Sequence, residues 1–213
     1  MLARMREMAA ANPEMTIRSE AEMAALLEGM LAQHDPAADV HVFGYGSLIW
    51  NPAFHYVDKH PALVRGLHRR FCLKLVAGRG SPETPGLMLA LDYGGACKGV
   101  VFRIAARAAR EELGLLWWRE MYGGAYNARW VRAMTPGGPV RAITFVINRA
   151  HPRYTPELSV EQTAALIATG VGDLGSCREY LDNTVRHLAQ LGLRDAGLER
   201  IAAALPQAAE SAT

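Results

Sequence analysis

Two stretches of the chain bring together residue types that can handle an anion and a proton. Val40-His41-Val42-Phe43 runs directly into Gly44-Tyr45-Gly46-Ser47-Leu48, so a strand empties into a turn whose glycines permit positive φ and close approach of a ligand to the main chain. Successive N–H groups in such a turn form a nest for an anion. A dinucleotide fingerprint fails here: Gly44 and Gly46 fill the first two glycine positions, but Ile49 stands at the third, and Trp50-Asn51-Pro52 does not open a helix. The plainer alternative is a pair of turn glycines with Tyr45 packing beside them. The second stretch carries Glu120. With Leu113, Leu116 and Trp117 defining an inward helical stripe, Glu120 falls in the middle of it, whereas Glu112 and Arg119 fall away from it. Burial among Leu and Trp raises a carboxyl pKa and makes the group a better proton acceptor at neutral pH. A carboxylate that reaches solvent, or pairs with an arginine such as Arg129, is the alternative.

The elements that must position these groups read as follows. Ser19 with Glu22 forms a capping box, and Met23, Leu26, Leu27, Met30 and Leu31 follow at helical spacing, which predicts a docked helix in a lead-in to about residue 37, frayed before Ser19. Short β-rich runs at 40–44, 71–77, 87–92, 99–104, 129–134 and 140–147 are bounded mostly by Gly, Pro or Asp. One helix interrupts them, 105–122, and stops at Gly123-Gly124. After Pro156, Ser159 with Gln162 caps a helix over 160–168, Gly170 to Gly175 breaks the chain, and a last helix covers 177–191. Strands gathered in the middle with helices at the ends argue for an α+β domain over 39–200, with an N-terminal helical extension at 1–38 and a tail at 201–213.

The 213 residues suffice for one domain with its own core, and 50% hydrophobic against 21% charged residues is an ordinary globular composition. A formal charge of +2 supplies no field for nonspecific nucleic-acid binding. Three scattered cysteines, Cys72, Cys97 and Cys177, fit neither a disulfide framework nor paired zinc ligands and point to a reducing, cytoplasmic setting. The opening MLARMREMAAANPEM is too charged for a secretion signal, and no apolar run approaches the ~18 residues of a membrane span. The seven histidines show no i, i+4 pair and no nearby cysteine, so no metal is expected.

Taken together, Phe43-Gly44-Tyr45-Gly46-Ser47-Leu48-Ile49-Trp50, Arg79-Gly80-Ser81-Pro82-Glu83 with Pro85-Gly86, Trp118-Arg119-Glu120 with Gly124-Ala125-Tyr126, and Tyr180-Leu181 with Asn183-Thr184 resemble the ChaC-like γ-glutamylcyclotransferases in order and approximate spacing, from about Val40 to about Leu198. Ser81 stands where the family pattern has threonine. The resemblance implies a small mixed β-barrel with packed helices and a pocket at one mouth. The activity it implies converts a γ-glutamyl compound, chiefly glutathione, into 5-oxoproline and a released amine, here Cys-Gly. It implies further that the Tyr45-Gly46-Ser47-Leu48 turn binds the glutamyl moiety and that Glu120 is the acid/base carboxylate.

That chemistry needs little apparatus. The substrate's own α-amine is the nucleophile and closes a five-membered ring on the γ-carbonyl, so no cofactor, metal or protein nucleophile is required. An α-amine with a reference pKa of ~7.7–8.0 is largely protonated at neutral pH, so a base must take a proton and the same group can return one to the departing amine. Arg79 is a candidate partner for the glycyl carboxylate of glutathione, with an ion pair to Glu83 or plain exposure as alternatives. Tyr126 and Tyr180 are candidate lining residues, although Tyr180 shares a face with Leu181, Thr184 and Leu188 that also suits a core. Trp117, Trp118 and Trp130 are expected to keep water from the carboxylate. Rival readings are a cyclotransferase for other γ-glutamyl amino acids or amines, and a noncatalytic sensor of a small acidic metabolite.

Overall fold

A computed structural model describes residues 17–206. Five strands close a barrel in the order β1-β3-β2-β4-β5. Strand β1 (Val40–Gly44) runs antiparallel to β3 (Gly86–Ile104), from Val40 opposite Ile104 to Gly44 opposite Val100, and parallel to β5 (Gly138–Ile147) at His41 and Val42. Strand β2 (Asp58–Leu75) pairs with β3 along its whole length, and β4 (Tyr126–Thr135) with β5 as a hairpin. The expected runs at 71–77, 87–92 and 99–104 are therefore pieces of two long strands. Their continuity was hidden because the punctuation is a set of bends. Gly66 has φ 81°, and Gly94 and Gly95 have φ 102° and 63°, while a register shift falls between Arg65 and Leu67. An 18-residue strand held straight would span ~60 Å, so these bulges curl the β2–β3 ribbon back over the barrel.

Alternate residues of the strands feed two cores. Phe43, Val64, Leu67, Leu91, Val101 and Val146 fill one made almost wholly of strand side chains, the barrel interior. Val42, Phe102 and Phe145 face outward to meet Leu113, Leu116 and Trp117 of helix α2 (Ala109–Glu120). The helix is shorter than the expected 105–122, because a 3₁₀ turn at Ala106–Ala108 precedes it. Helix α1 (Glu20–Leu31) has the expected capping box and buries Met23, Leu27 and Met30, while Leu26 is exposed. Residues 1–16 of the expected frayed segment lie outside the described residues, but Arg18 is fixed. Its N–H donates to Tyr122 O at 2.9 Å and its Nη1 to Met121 O at 2.8 Å.

Helix α3 (Val160–Thr169) has the Ser159–Gln162 capping box, the short hairpin β6–β7 (Val171–Gly172, Gly175–Ser176) follows, and α4 (Cys177–Gln190) brings Tyr180 and Leu181 inward. Helix α5 (Ala196–Ala204), which the sequence pattern did not single out, is capped by Asp195 and buries Leu198.

One buried ionic knot ties the ribbon to the rest. Fully buried Asp92 on β3 accepts from Arg70 Nη1 at 2.9 Å, Arg149 Nε at 2.7 Å, the Tyr154 hydroxyl at 3.1 Å and the Tyr93 N–H at 2.8 Å. Burial acts to raise its pKa, but these donors, Arg149 foremost, outweigh it and hold the carboxyl below the usual range.

Candidate active site

Glu120 closes α2, with its side chain 15% exposed, and its Oε1 lies 3.1 Å from Arg119 Nε. Arg119 donates onward to Ser47 Oγ at 2.8 Å and to Asn51 O at 2.5 Å. One guanidinium thus joins the carboxylate to the turn after β1. This corrects the placement of Arg119 away from the action: it sits at the end of the helix, where a long side chain reaches around the axis. Glu112 is corrected as well. It is buried and accepts from His55, at 2.8 Å from the main-chain N–H, with Nδ1 at 2.9 Å. Together with Ala109, Leu113, Leu116 and Trp117 it widens the inward stripe, which reading at three residues had made too narrow. Burial raises the Glu120 pKa, and Arg119 pulls it part of the way back. Arg119, not Arg129, is the arginine that pairs with it.

The turn winds as a 3₁₀ helix over Ser47–Ile49, with Ile49 N–H donating to Gly46 O at 2.9 Å and Asn51 N–H to Ser47 O at 2.8 Å. Neither glycine uses positive φ; Gly46 sits at φ −130°. Space is what requires them. A Cβ on Gly46 would stand 2.8 Å from the Tyr180 hydroxyl, and one on Gly44 would stand 3.0 Å from Leu48 Cβ and from the Phe102 ring. Leu48 and Ile49 are buried and hold the turn against the core.

Three phenols lie within electrostatic reach of the carboxylate. Tyr45 and Tyr180 are buried, and Tyr126, partly buried, donates its hydroxyl to Leu89 O at 3.1 Å. Burial pushes all three hydroxyls up; after it come Tyr126 and then Glu120 for Tyr45, and Glu120 for Tyr126 and for Tyr180. All three stay protonated at any working pH, as neutral hydrogen-bonding groups. Cys72 shares the neighbourhood and is pushed up to about 12 by burial. Three cations act in the opposite direction, Arg69 and Arg119 on Tyr180 and Arg153 on Tyr126.

The structure therefore brings Tyr45, Gly46, Ser47, Glu120, Tyr126 and Tyr180 together, with Leu48 holding the turn. Arg79 stands behind Tyr180. Its Nη1 donates to Ser176 O at 2.8 Å and to Glu179 Oε2 at 3.0 Å, and its guanidinium lies 5.7 Å from the Tyr180 ring centre, so its carboxylate partner is Glu179 rather than Glu83. Trp117 packs on Phe145 and Trp118 on Tyr122. Trp130 does not join them: it stacks on His34, and the Arg141 guanidinium covers its ring at 4.1 Å. Sequence reasoning missed Arg119, although it stood inside the quoted Trp118-Arg119-Glu120 motif, and missed Arg69, which lies on a strand that β-propensity alone did not mark over 58–70; Cys72, inside the marked run 71–77, was read only as a scattered thiol.

The contact between Gly46 and Tyr180 carries a prediction. Gly46→Ala drives a methyl into the Tyr180 hydroxyl, whose ring is wedged between Trp50 and Phe71. A displacement of ~1 Å at a reacting centre costs up to about 100-fold in rate. Turnover is expected to fall by about that much with the melting temperature little changed. A variant as active as wild type would mean that Tyr180 and the turn are not in register with the reaction.

Comparison with known proteins bears on the family and the fold. The family model described as ChaC-like protein matches residues 40–208. The glutathione-specific gamma-glutamylcyclotransferase of Escherichia coli strain K12 is 40% identical over 186 residues, covering 87% of this chain and 80% of that protein. The glutathione-specific gamma-glutamylcyclotransferase 1 of Rattus norvegicus is 35% identical over 152 residues, 69% of this chain and 68% of that one. Among solved structures, the selenomethionine-labelled yeast cyclotransferase specific to glutathione superimposes with a TM-score of 0.70 at 22% identity, over 79% of this chain and 97% of that one. At that identity the likeness concerns the fold, an α+β barrel with packed helices.

Proposed function

The chain belongs to the ChaC-like family, and from that membership and the geometry of its site we propose that it is a glutathione-specific γ-glutamylcyclotransferase. It converts glutathione to 5-oxoproline and Cys-Gly, a C–N cleavage with cyclisation of the lyase type. The relatives named for that activity support the substrate. The observation that carries the mechanism is Glu120, mostly buried and joined through Arg119 to Ser47.

Glutathione enters with its glutamyl part against the Tyr45–Leu48 turn. Glu120 takes a proton from the α-ammonium, and the freed amine attacks the γ-carbonyl carbon, forming the new C–N bond of the five-membered ring. The carbonyl oxygen gains negative charge and is met by N–H donors of the turn and by neutral tyrosine hydroxyls, which add no negative charge of their own. Protonated Glu120 then gives its proton to the cysteinyl nitrogen as the old C–N bond breaks, and the second proton of the new ring nitrogen passes, again through Glu120, to the departing amine, which leaves as an ammonium. The N–H groups of Gly46, Ser47 and Leu48 are the candidate donors of the turn. Arg119 keeps the carboxylate aimed, while Tyr126 and Tyr180 shape the wall and Arg79 braces Tyr180. We assign the catalytic domain to residues 39–200 and the location to the cytoplasm, whose reducing pool keeps buried thiols such as Cys72, Cys97 and Cys177 free. Among the described residues no helix is long and apolar enough to cross a membrane.

Incubation of the purified protein with glutathione, followed by assay for 5-oxoproline and Cys-Gly in equal amounts, tests the proposal. A panel of γ-glutamyl amino acids and amines is run beside it, and glutathione is expected to be the best substrate. Preferred turnover of a γ-glutamyl amine would move the substrate class. Binding without product would replace the enzyme by a sensor.

A further inference from the structure

Arg79, the arginine that sequence reasoning offered for a substrate carboxylate, is committed to Glu179 and Ser176 O, and Arg119 to Glu120, Ser47 and Asn51. A third arginine is placed differently. The Arg69 side chain is only 1% exposed, and among the described residues neither its Nε nor its Nη1 has a hydrogen-bond partner. Its Nη2 donates to Lys98 O and to Cys97 Sγ at 3.3 Å. The nearest carboxylate oxygen, Asp195 Oδ2, is 3.7 Å from Nη1, beyond hydrogen-bonding distance, and the other oxygen of Asp195 is occupied in capping α5 through Gly197 and Leu198. Buried guanidinium groups are ordinarily fully hydrogen-bonded, because an unpaired buried charge is costly.

Arg69 also lies beside the site. It precedes Phe71 by two positions on β2 with no register shift between them, so both side chains leave the same face of the strand, and the Phe71 ring packs 6.2 Å from that of Tyr180. The carbonyl it holds, Lys98 O, adjoins Gly99, where a Cβ would stand 2.4 Å from Gly44 O at the root of the turn. Its charge is felt at the Tyr180 hydroxyl together with those of Glu120 and Arg119.

We propose that Arg69 is a substrate-binding residue that receives the α-carboxylate of the γ-glutamyl moiety, so that the adjacent α-amine is turned toward Glu120. This rests on the cyclotransferase reading above. Of the two carboxylates of glutathione, the α-carboxylate sits on the carbon that bears the attacking amine and belongs to the half held by the turn. It is also present in every γ-glutamyl compound, so a cation buried beside the turn always meets it.

The test is a cycle of two enzymes and two substrates. Wild type and Arg69→Met are compared on glutathione and on its decarboxylated analogue, γ-aminobutyryl-Cys-Gly, which keeps the amine and the γ-carbonyl and cyclises to 2-pyrrolidone. A charge-assisted hydrogen bond is worth about 10- to 100-fold in affinity. Wild type is expected to lose that factor in KM on the analogue, and Arg69→Met to lose it on glutathione while discriminating less than about threefold between the two substrates. Arg69→Lys, which keeps the charge without the guanidinium plane, is expected to recover part of the loss, and it carries the comparison if the Met variant does not fold. Wild type that handles both substrates equally, or a folded Arg69→Met that binds glutathione as wild type does, overturns the assignment. So does a Met variant that becomes blind to esterification of the glycyl carboxylate, which would place Arg69 at the other end of the substrate. Wild type inert on every γ-glutamyl compound would instead defeat the proposed function, and the two failures are distinct.

Discussion

Glu120→Gln is expected to lower kcat for glutathione by about 10²- to 10⁴-fold, the range that a positioned acid/base contributes, with KM changed far less. The amide matches the carboxylate in shape and can still accept from Arg119, but it cannot take a proton from the ammonium. Two accompanying measurements separate this from a folding defect. Burial raises the Glu120 pKa in the native protein, so the native state binds the proton more tightly than the unfolded chain. The ionised carboxylate therefore costs stability, a cost that appears as pH rises through the native pKa and is fully present above it. Glu120→Gln is expected to melt at or above the wild-type temperature at neutral pH, with the gain vanishing at a pH below the ordinary carboxyl range. In wild type, the acid limb of kcat is expected to lie above that ordinary range and to be absent from the residual rate of the Gln variant. A Gln variant with full activity removes Glu120 from the mechanism.

Asp92→Ala is expected to cost about 3–5 kcal/mol, the penalty for removing one partner from a buried ionic cluster. Arg70, Arg149 and Tyr154 all converge on that carboxylate, so its removal strands the mostly buried Arg70, releases the half-exposed Arg149 and unpins the β2–β3 ribbon. At ~2–4 °C per kcal/mol the melt should fall by roughly 6–20 °C. The sign with pH is opposite to that of Glu120. The native pKa lies below the unfolded one, so this stability is present above the unfolded pKa and is lost as pH falls through the native value. The gap between wild type and Asp92→Ala should narrow in acid. Equal unfolding free energies at pH 7 would show that the knot contributes nothing.

Local signals in the sequence were read where the physics is local. Ser19–Glu22 and Ser159–Gln162 each name their own helix start, because a capping box is complete within four residues. The burial of Glu120 was legible from its place on the α2 stripe. The β2 strand over 58–70 did not, since Lys59, His60, Arg65, His68, Arg69 and Arg70 mask the alternation and the glycine bends look like turns. The same strand hid Arg69, whose burial depends on Tyr180 and Asp195, more than a hundred residues away. The glycines of the turn were legible as necessary, but the reason was not: the obstacle to a side chain at Gly46 is the Tyr180 hydroxyl, a neighbour that only the tertiary structure supplies. Arg119 shows a further limit, because a helical wheel assigns directions to Cβ atoms while a guanidinium reaches several ångströms beyond its own.

Tyr180 comes from the last third of the chain, yet its hydroxyl fills the space that Gly46 leaves open at the first strand's exit. Synthesis from the N-terminus makes the turn and Glu120 before α4, and Tyr180 reaches Gly46 only once that helix docks. Turnover is therefore expected only once α4 has docked, and a chain cut before Cys177 is expected to be inactive.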